Sequence, residues 1–291
     1  MISVPERQQI QELVALYRLE PTIRDVYVEG LTDQSLLAWF LSELGHRVVS
    51  VKQIESVEVP VELVQSLGFE NNNRGRVITL AHVLESELGR ETRATTCVAD
   101  SDFDRLLRKQ YRSTLLLLTD YPSMELYFFE SSSLRKFLAI VVRGFPKLPR
   151  VVMSEIQGPL VEMFLYRLAN SRLGWGLRHI SFETCCTLHK TGVVLDSDKY
   201  IVRLLNANNR SAQREAFLDS VRECRSFLRE DSRNHMHGHD FIALLCWYIR
   251  QHKGYKGIGR EIVERSIYAC STTELLAAEG MFRLLLQRVT P

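Results

Sequence analysis

The chain has 291 residues, of which 45% are hydrophobic and 25% are charged. This is the balance of an ordinary soluble globular protein of one large or two smaller domains, and it excludes a chain that needs disulfides or metal ions in order to fold. The net charge of +2, from 37 Lys plus Arg against 35 Asp plus Glu, neither requires nor excludes a polyanionic partner.

The cysteines and the N-terminal residues indicate the compartment. Six cysteines occur without a Cys-x-x-Cys pair, which argues against a zinc ribbon. The first residues lack the apolar run of a signal peptide, and no apolar stretch approaches the ~20 residues needed to span a membrane. We therefore expect a cytoplasmic protein with free, mostly buried thiols.

Apolar spacing and turn residues predict alternating helices and strands in the first half. In chain order these are a helix over residues 5–19, a strand over 25–28 followed by Glu29-Gly30, a helix with Thr32 as N-cap that runs to residue 44, a strand over 47–54, a loop-like segment over 67–76, a helix over 77–88, strands over 94–99 and 113–119, and a helix opened by Pro122. The strand-helix-strand opening favours a parallel α/β unit.

The second half is mostly helical in pattern and follows a Pro- and Gly-punctuated connection at residues 143–150. Its predicted helices cover residues 159–172, 198–205, 212–228, 241–252, 258–269 and 273–289. We therefore expect an α/β domain with a parallel-sheet core over residues 1–145. A mainly helical domain over residues 146–291 would provide contacts with a partner, a second copy or a substrate.

Two acidic clusters follow predicted parallel strands. Glu29 ends the first strand, and Asp100 with Asp102 ends a later one. In open α/β sheets the carboxyl ends of the strands form the edge that binds ligands, and carboxylates gathered there repel one another unless a cation neutralises them. Oxygen ligands of this kind suit Mg²⁺. From spacing alone, an ordinary turn at Glu29 and a helix cap at the Asp-x-Asp motif remain the alternatives.

The order of these motifs resembles the Toprim fold, in which a strand-Glu-Gly-helix unit precedes a strand-Asp-x-Asp unit. The matching segments are residues 26–33, Val-Tyr-Val-Glu-Gly-Leu-Thr-Asp, and residues 97–102, Cys-Val-Ala-Asp-Ser-Asp. Together with residues 119–127 and 237–241, they look most like the Toprim-related DUF4435 family. The resemblance covers about residues 25–129 and one short motif of the helical half.

This resemblance implies a phosphodiesterase that depends on Mg²⁺ or Mn²⁺. Glu29 would be a metal ligand or the general base beside the attacking water, and Asp100 and Asp102 would hold the ion. Asp33 would serve a second metal ion. Glu125 would be a further ligand or would support one.

One departure from the family pattern concerns the contact with phosphate. Residues 71–75, Asn-Asn-Asn-Arg-Gly, stand where many Toprim proteins have a Gly-Gly-Lys-like turn. We therefore expect Arg74, or Arg76, to take the place of the missing lysine.

Further basic residues are candidate contacts to nucleic acid. Arg105 and Lys109 directly follow the Asp-x-Asp motif, and Lys256 lies in a Gly-rich basic loop. A solvated surface is the alternative for each of them. His239 belongs to the run at residues 235–240, for which a zinc site, the first turn of a helix and a phosphate contact are the three interpretations.

The family context implies a nuclease effector of bacterial anti-phage defence that cleaves RNA, such as tRNA, or DNA. It also implies activation through an ABC-type ATPase partner and an active homodimer. The chain has no Gly-x-x-x-x-Gly-Lys-Ser/Thr run, so an ATPase would have to be a separate protein. The competing hypothesis is a degenerate acidic site in a docking or regulatory subunit.

Overall fold

The fold is taken from a computed structural model, which describes residues 7–228, 231–252, 254–255 and 257–290. The described residues divide into two compact units. The first runs to Asp120 and takes up the chain again from Thr272, and the second runs from Tyr121 to Ser271.

The first unit contains a four-stranded parallel sheet. The strands of this unit are β1 (Gln8–Gln9), β2 (Asp25–Val28), β3 (Ser50–Gln53), β4 (Val57–Glu58), β5 (Thr95–Ala99) and β6 (Leu116–Leu118). The sheet has the order β3-β2-β5-β6, and each neighbouring pair is parallel. A separate short parallel pair joins β1 to β4. The α/β class with a parallel sheet is therefore confirmed.

Helices lie between these strands in the chain. They are α1 (Ile10–Leu19), α2 (Leu31–Glu43), α3 (Val61–Ser66), α4 (Asn73–Leu88) and α5 (Asp104–Leu107), with a 3₁₀ turn over Ile54–Ser56. Side chains of α1, α4, β2 and β5 form the core, which includes the fully buried Leu13, Tyr27, Leu80 and Cys97. Sheets of this kind bury both faces, which agrees with the apolar runs of their strands.

Three predicted helix starts in this unit were wrong. The helix expected from residue 5 begins at Ile10, because Gln8 and Gln9 form β1. Gly30, in extended conformation, is the N-cap of α2, so Thr32 lies inside the helix, although Asp33 is in the first turn as predicted. The polar segment expected to be a loop contains the start of α4, because the Asn72 side chain accepts a hydrogen bond from the Gly75 N–H at 2.8 Å. That bond is a helix N-cap.

The second unit is mainly helical, as expected for this part of the chain. Its elements are a 3₁₀ turn over Met124–Phe128, α6 (Ser131–Phe137), a π-helical turn over Leu138–Val142, α7 (Pro149–Leu173), a 3₁₀ turn over Glu183–Cys185, β7 (Cys186–His189), β8 (Gly192–Leu195), α8 (Ser197–Ala207), a 3₁₀ turn over Ser211–Gln213, α9 (Arg214–Arg225), a 3₁₀ turn over Ser232–His235, α10 (Gly238–Gln251) and α11 (Arg260–Ala269).

Three features of this unit differ from the sequence prediction. Pro122 is followed by a 3₁₀ turn rather than by an α-helix. Pro149 opens α7 at the position that proline favours, and Pro159 lies inside that helix instead of starting it. β7 and β8 form an antiparallel hairpin that apolar periodicity did not predict.

The chain then returns to the first unit as α12 (Thr273–Ala277) and α13 (Gly280–Val289). On α13, Phe282 packs edge-on against Phe40 of α2, with ring centroids 4.9 Å apart. The first unit therefore ends at Asp120 rather than near residue 145, and the last helices belong to it rather than to the helical half.

The six cysteines are free and buried, which confirms that prediction. None of the described helices is both long and apolar enough to cross a membrane.

Candidate metal centre

The predicted acidic residues follow two adjacent strands of the parallel sheet. Glu29 comes directly after β2 and Asp100 directly after β5, and these two strands are neighbours. After β2, the chain forms β3, which pairs with one edge of β2. The following strand of the sheet, β5, pairs with the opposite edge of β2. The carboxyl ends of β2 and β5 therefore flank the point where the strand order reverses, which is the usual ligand site of an open α/β sheet.

Hydrogen bonds link the Glu29 carboxylate to the neighbouring strand end. The Asp100 backbone N–H donates to Glu29 Oε1 at 2.8 Å. The Asn73 side-chain amide donates to the Glu29 carbonyl oxygen at 2.9 Å, from the first turn of α4. Glu29 is therefore held from both sides, by a strand end and by a helix start.

The start of α4 requires a glycine at one position. A Cβ on Gly75 would collide with the carbonyl oxygen of Glu70, so a larger residue would displace this turn. Because Asn73 and Arg74 belong to the same turn, the glycine indirectly determines where these two polar side chains meet the acidic residues.

The Glu29 carboxyl has a strongly raised proton affinity. Its pKa is raised to about 8 by burial, and the nearby carboxylates of Asp102 and Asp33 act in the same direction. The hydrogen bond from Asp100 and the charge of Arg74 oppose this shift but do not cancel it. A carboxyl group that keeps its proton at neutral pH beside further carboxylates is a group that a cation would help to ionise.

Asp102 has a backbone conformation that few residues adopt. Its φ angle is +45°, in the left-handed region, which Asp and Asn tolerate better than most other residues with a side chain. Its carboxylate is 40% exposed and lies 3.1 Å from Arg74 Nε. Burial raises the pKa of Asp102, and the charge of Arg74 opposes that shift.

Arg74 connects the acidic residues to one another. Its Nε also donates to the Asp100 carbonyl oxygen at 2.7 Å, and its Nη2 contacts the Asp104 carboxylate. Asp104 is buried and accepts a second hydrogen bond from the Tyr111 hydroxyl at 2.6 Å. The guanidinium group therefore compensates carboxylate charge here, a role that differs from the predicted contact with phosphate.

Sequence reasoning missed Asp104 as part of the site. It stands two residues after Asp102 and opens α5, so the sequence pattern is that of a helix with an acidic first turn. Its burial at 2% exposure is the property that distinguishes it, and burial of a single Asp depends on tertiary packing.

The donor set fits a cation that keeps most of its water shell. In the ranges that the structure describes, no three His, Cys, Asp or Glu side chains form a group arranged to hold a metal ion, and this includes the histidines of residues 235–240. Mg²⁺ does not require such a group, because it commonly binds through one or two carboxylates, several waters and substrate phosphates. The effect of the Asp102 and Asp33 carboxylates, which raise the pKa of Glu29, is the feature that favours a cation here.

Two of the predicted basic residues lie in the same unit, close to the Asp-x-Asp motif in the chain. Arg105 donates to the Thr119 carbonyl oxygen at 3.0 Å and lies 3.6 Å from the Asp120 carboxylate. Lys109 Nζ lies 3.5 Å from Asp104. Both side chains are more than half exposed, so a phosphate group could reach them. Lys256 lies outside the described residues.

Glu125 and His239 belong to the second unit and meet there. The His239 ring nitrogen Nδ1 lies 3.4 Å from Glu125 Oε1. The backbone of Gly238 approaches Glu125 and Ser123 so closely that a Cβ at this position would collide with both side chains. His239 is in the first turn of α10, which agrees with the helix-start interpretation of this run.

No protein-family model matches the chain, and no curated protein matches its sequence. The chemistry of the centre is therefore inferred from its own geometry and electrostatics.

Proposed function

We propose that the protein is a metal-dependent phosphodiesterase that cuts nucleic-acid backbones. The observation that carries this proposal is the position of Glu29 at the switch point of the sheet, where it accepts a hydrogen bond from the Asp100 N–H at 2.8 Å and its pKa is raised by the carboxylates of Asp102 and Asp33. A cation is the simplest ligand for such a group of acidic residues, and a phosphate is the substrate that such a cation would bind.

Each residue has a chemical role in this proposal. Glu29 and Asp102 would hold the ion, Asp100 would contact it through its water shell, and Asp33 is a further carboxylate that raises the pKa of Glu29. When bound, Mg²⁺ would stabilise negative charge on the phosphate and lower the pKa of a coordinated water. Without a cation Glu29 keeps its proton at neutral pH, because its pKa is about 8; once positive charge beside it favours the ionised form, the carboxylate would be able to accept a proton from an attacking water.

Arg74 has to be accommodated in this proposal, because its guanidinium lies against two of the carboxylates. It supplies positive charge to Asp102 and Asp104, and an ion bound by Glu29 and Asp102 would share Asp102 with it. The main role of Arg74 is therefore to compensate the charge of the acidic residues, and a direct contact with substrate is a lesser role.

A second candidate function is a docking or regulatory subunit with a degenerate site. The ion pair between Arg74 and Asp102 favours it, because an arginine that neutralises a carboxylate reduces the need for a metal ion. Glu29→Ala separates the two functions. A nuclease loses cleavage and keeps its partner, whereas a docking subunit keeps its cellular phenotype.

The biological setting is also part of the proposal. The motifs at residues 26–33, 97–102 and 119–127 resemble those of the nuclease subunit of the PARIS anti-phage defence system. On that resemblance we propose an effector of bacterial defence that cleaves RNA such as tRNA, or DNA, when an ABC-type ATPase partner activates it, and that acts as a homodimer in the cytoplasm.

A cleavage assay tests the enzymatic function. The full chain, alone and with the product of a neighbouring ATPase gene, is incubated with total RNA and with plasmid DNA in Mg²⁺ or in EDTA. We expect cleavage in Mg²⁺ that EDTA abolishes, a loss of about 100-fold or more in Glu29→Gln, and normal activity in Glu43→Gln, an exposed residue on α2. Cleavage that persists after exhaustive chelation would disprove the metal-dependent mechanism.

A further inference from the structure

The second unit contains a cavity of about 490 Å³ that the acidic centre does not involve. Its walls come from α7, α10, α11 and the segment that follows α7. Three arginines line it, one from each of these helices: Arg167, Arg250 and Arg260. Sites for small ligands commonly have volumes of about 300–1,000 Å³, so this cavity has room for a molecule rather than a single ion.

The three arginines differ in how their charge is compensated. Arg167 makes a bidentate pair with Asp240, at 2.6 and 2.7 Å, so its charge is matched inside the wall. Arg250 instead donates to the Ile258 carbonyl oxygen at 2.6 Å, and Arg260 donates to the His239 carbonyl oxygen at 3.2 Å. A carbonyl oxygen orients a guanidinium group without neutralising it, and each bond uses one of five N–H donors.

No buried carboxylate among the described residues of the cavity lining pairs with Arg250 or Arg260. Besides Asp240, the lining contains one further carboxylate, that of Glu183, and this residue is exposed to solvent. Water screens exposed charges strongly, which applies to Glu183 and also to Arg260, so Arg250 is the less screened of the two cations. Arg250 and Arg260 therefore present two positive charges that a dianion would match and a monocarboxylate would match only in part.

A buried ring nitrogen in the same wall lacks a hydrogen-bond partner among the described residues. His179 Nε2 is shielded from solvent and unpaired, while Nδ1 lies 3.4 Å from the Tyr200 hydroxyl. Burial lowers the pKa of His179 to about 4, and the charge of Arg167 acts in the same direction, so the ring is neutral at physiological pH. Because Nε2 is shielded from solvent, it is an unsatisfied atom within the cavity wall and not a contact that a ligand in the cavity reaches directly.

We propose that this cavity binds a small phosphate-bearing ligand of nucleotide size. Its phosphate would lie against Arg250 and Arg260, and its ring system against the apolar part of the wall, to which Ile180, Phe182 and Ala243 contribute. A nucleoside phosphate combines the dianion with a planar group of suitable size. The proposal does not depend on the nuclease function, since its residues are separate from Glu29 and its neighbours in the chain.

Calorimetry and thermal shift on the full chain test this proposal, with AMP, ADP, inorganic phosphate and a ten-nucleotide single-stranded RNA as probes in EDTA. We expect AMP or ADP to bind with submillimolar affinity and to raise the Tm. Arg260→Gln should weaken binding at least tenfold. The matched control is Arg265→Gln on the same helix, whose side chain is 78% exposed and pairs with Glu261, and it should bind normally.

A second variant guards against misfolding. Arg260→Lys keeps a positive charge at this exposed position, so we expect it to bind nucleotide more tightly than Arg260→Gln, with little change in the Tm of the free protein. The proposal is overturned if neither nucleotide binds, if Arg260→Gln binds as the wild type does, or if inorganic phosphate binds as tightly as AMP. Binding of the oligonucleotide alone would also overturn it, because the cavity would then belong to a strand-binding surface.

Discussion

At the residue scale, Glu29 is the central residue of the candidate site, because its pKa is raised to about 8 and its carboxylate accepts a hydrogen bond from the Asp100 N–H. The sequence identified this residue through its position before Gly30 at the end of a strand, and Asp100 and Asp102 through the order of the two motifs. The ion pair of Arg74 with Asp102 and Asp104 could not be predicted, because it depends on where the first turn of α4 lies. Local patterns identify acidic residues at strand ends, but they do not identify the partner of each charge.

The raised pKa of Glu29 predicts that the stability of the metal-free protein depends on pH. The carboxyl titrates at about 8 in the folded protein and near 4.5 in an unfolded chain. Between these values the folded state binds one more proton, so without metal its stability falls as pH rises from about 4.5 to 8 and stays lower above that.

Glu29→Gln removes this titration. In EDTA we expect its Tm to exceed that of the wild type at pH 8 and to equal it near pH 4.5, because glutamine keeps a neutral amide at both. Circular dichroism melts across this pH range measure the difference, with Glu43→Gln as the control. A wild-type Tm that does not depend on pH more steeply than that of Glu29→Gln would show that the carboxyl is ionised in the folded state.

At the element scale, the two strands that carry the acidic residues were predicted more accurately than the start of α4 beside them. The β-branched run at residues 25–28 matches β2, and residues 94–99 match β5 to within one position. The start of α4 was missed because three successive asparagines have low helix propensity, and only the Asn72 cap and the contacts of Asn73 and Arg74 stabilise a helix there. Tertiary contacts thus override local preference at the turn that supports the candidate site.

Gly75→Ala tests the role of this helix start. The new methyl group would collide with the Glu70 carbonyl oxygen, so we expect a loss of about 1–3 kcal/mol in the free energy of unfolding and reduced cleavage. Gly158→Ala is the matched control, because that glycine is exposed on α7 with open space around it. The control should gain about 0.5–1 kcal/mol. Equal effects of the two substitutions in urea unfolding would contradict the proposed packing.

Asp120→Ala tests the attachment of the last helix. Asp120 Oδ2 accepts a hydrogen bond at 2.8 Å from the Met281 N–H in the first turn of α13. Loss of an acceptor at a helix N-terminus typically costs about 0.5–2 kcal/mol. We expect a loss in this range in urea unfolding. The control Asp219→Ala, on the surface of α9, should leave the free energy of unfolding almost unchanged. If it lowers this free energy as much as Asp120→Ala does, the role of Asp120 in holding α13 is contradicted.

At the scale of the whole molecule, the sequence predicted the α/β class and the helical second half but not the division of the chain. Phe282 packs on Phe40 although more than two hundred residues separate them, and no local pattern reports such a contact. The motif order placed Glu29 and the Asp-x-Asp pair at one sheet edge because parallel strands direct their carboxyl ends to the same side. Sheet topology was thus sufficient to predict the acidic edge. The ion pairs of Arg74 with Asp102 and Asp104 depend on packing and were not predicted.

The central claim is that Glu29 and Asp102 hold a divalent cation, and calorimetric titration with Mn²⁺ tests it most directly. Because ionised Glu29 is required, we predict binding that tightens about tenfold per pH unit up to pH 8, with release of about one proton near pH 7. Binding should be lost in Glu29→Gln and in Asp102→Asn and retained in Glu43→Gln. The absence of Mn²⁺ binding to the wild type at pH 9, or unchanged binding in Glu29→Gln, would contradict the claim.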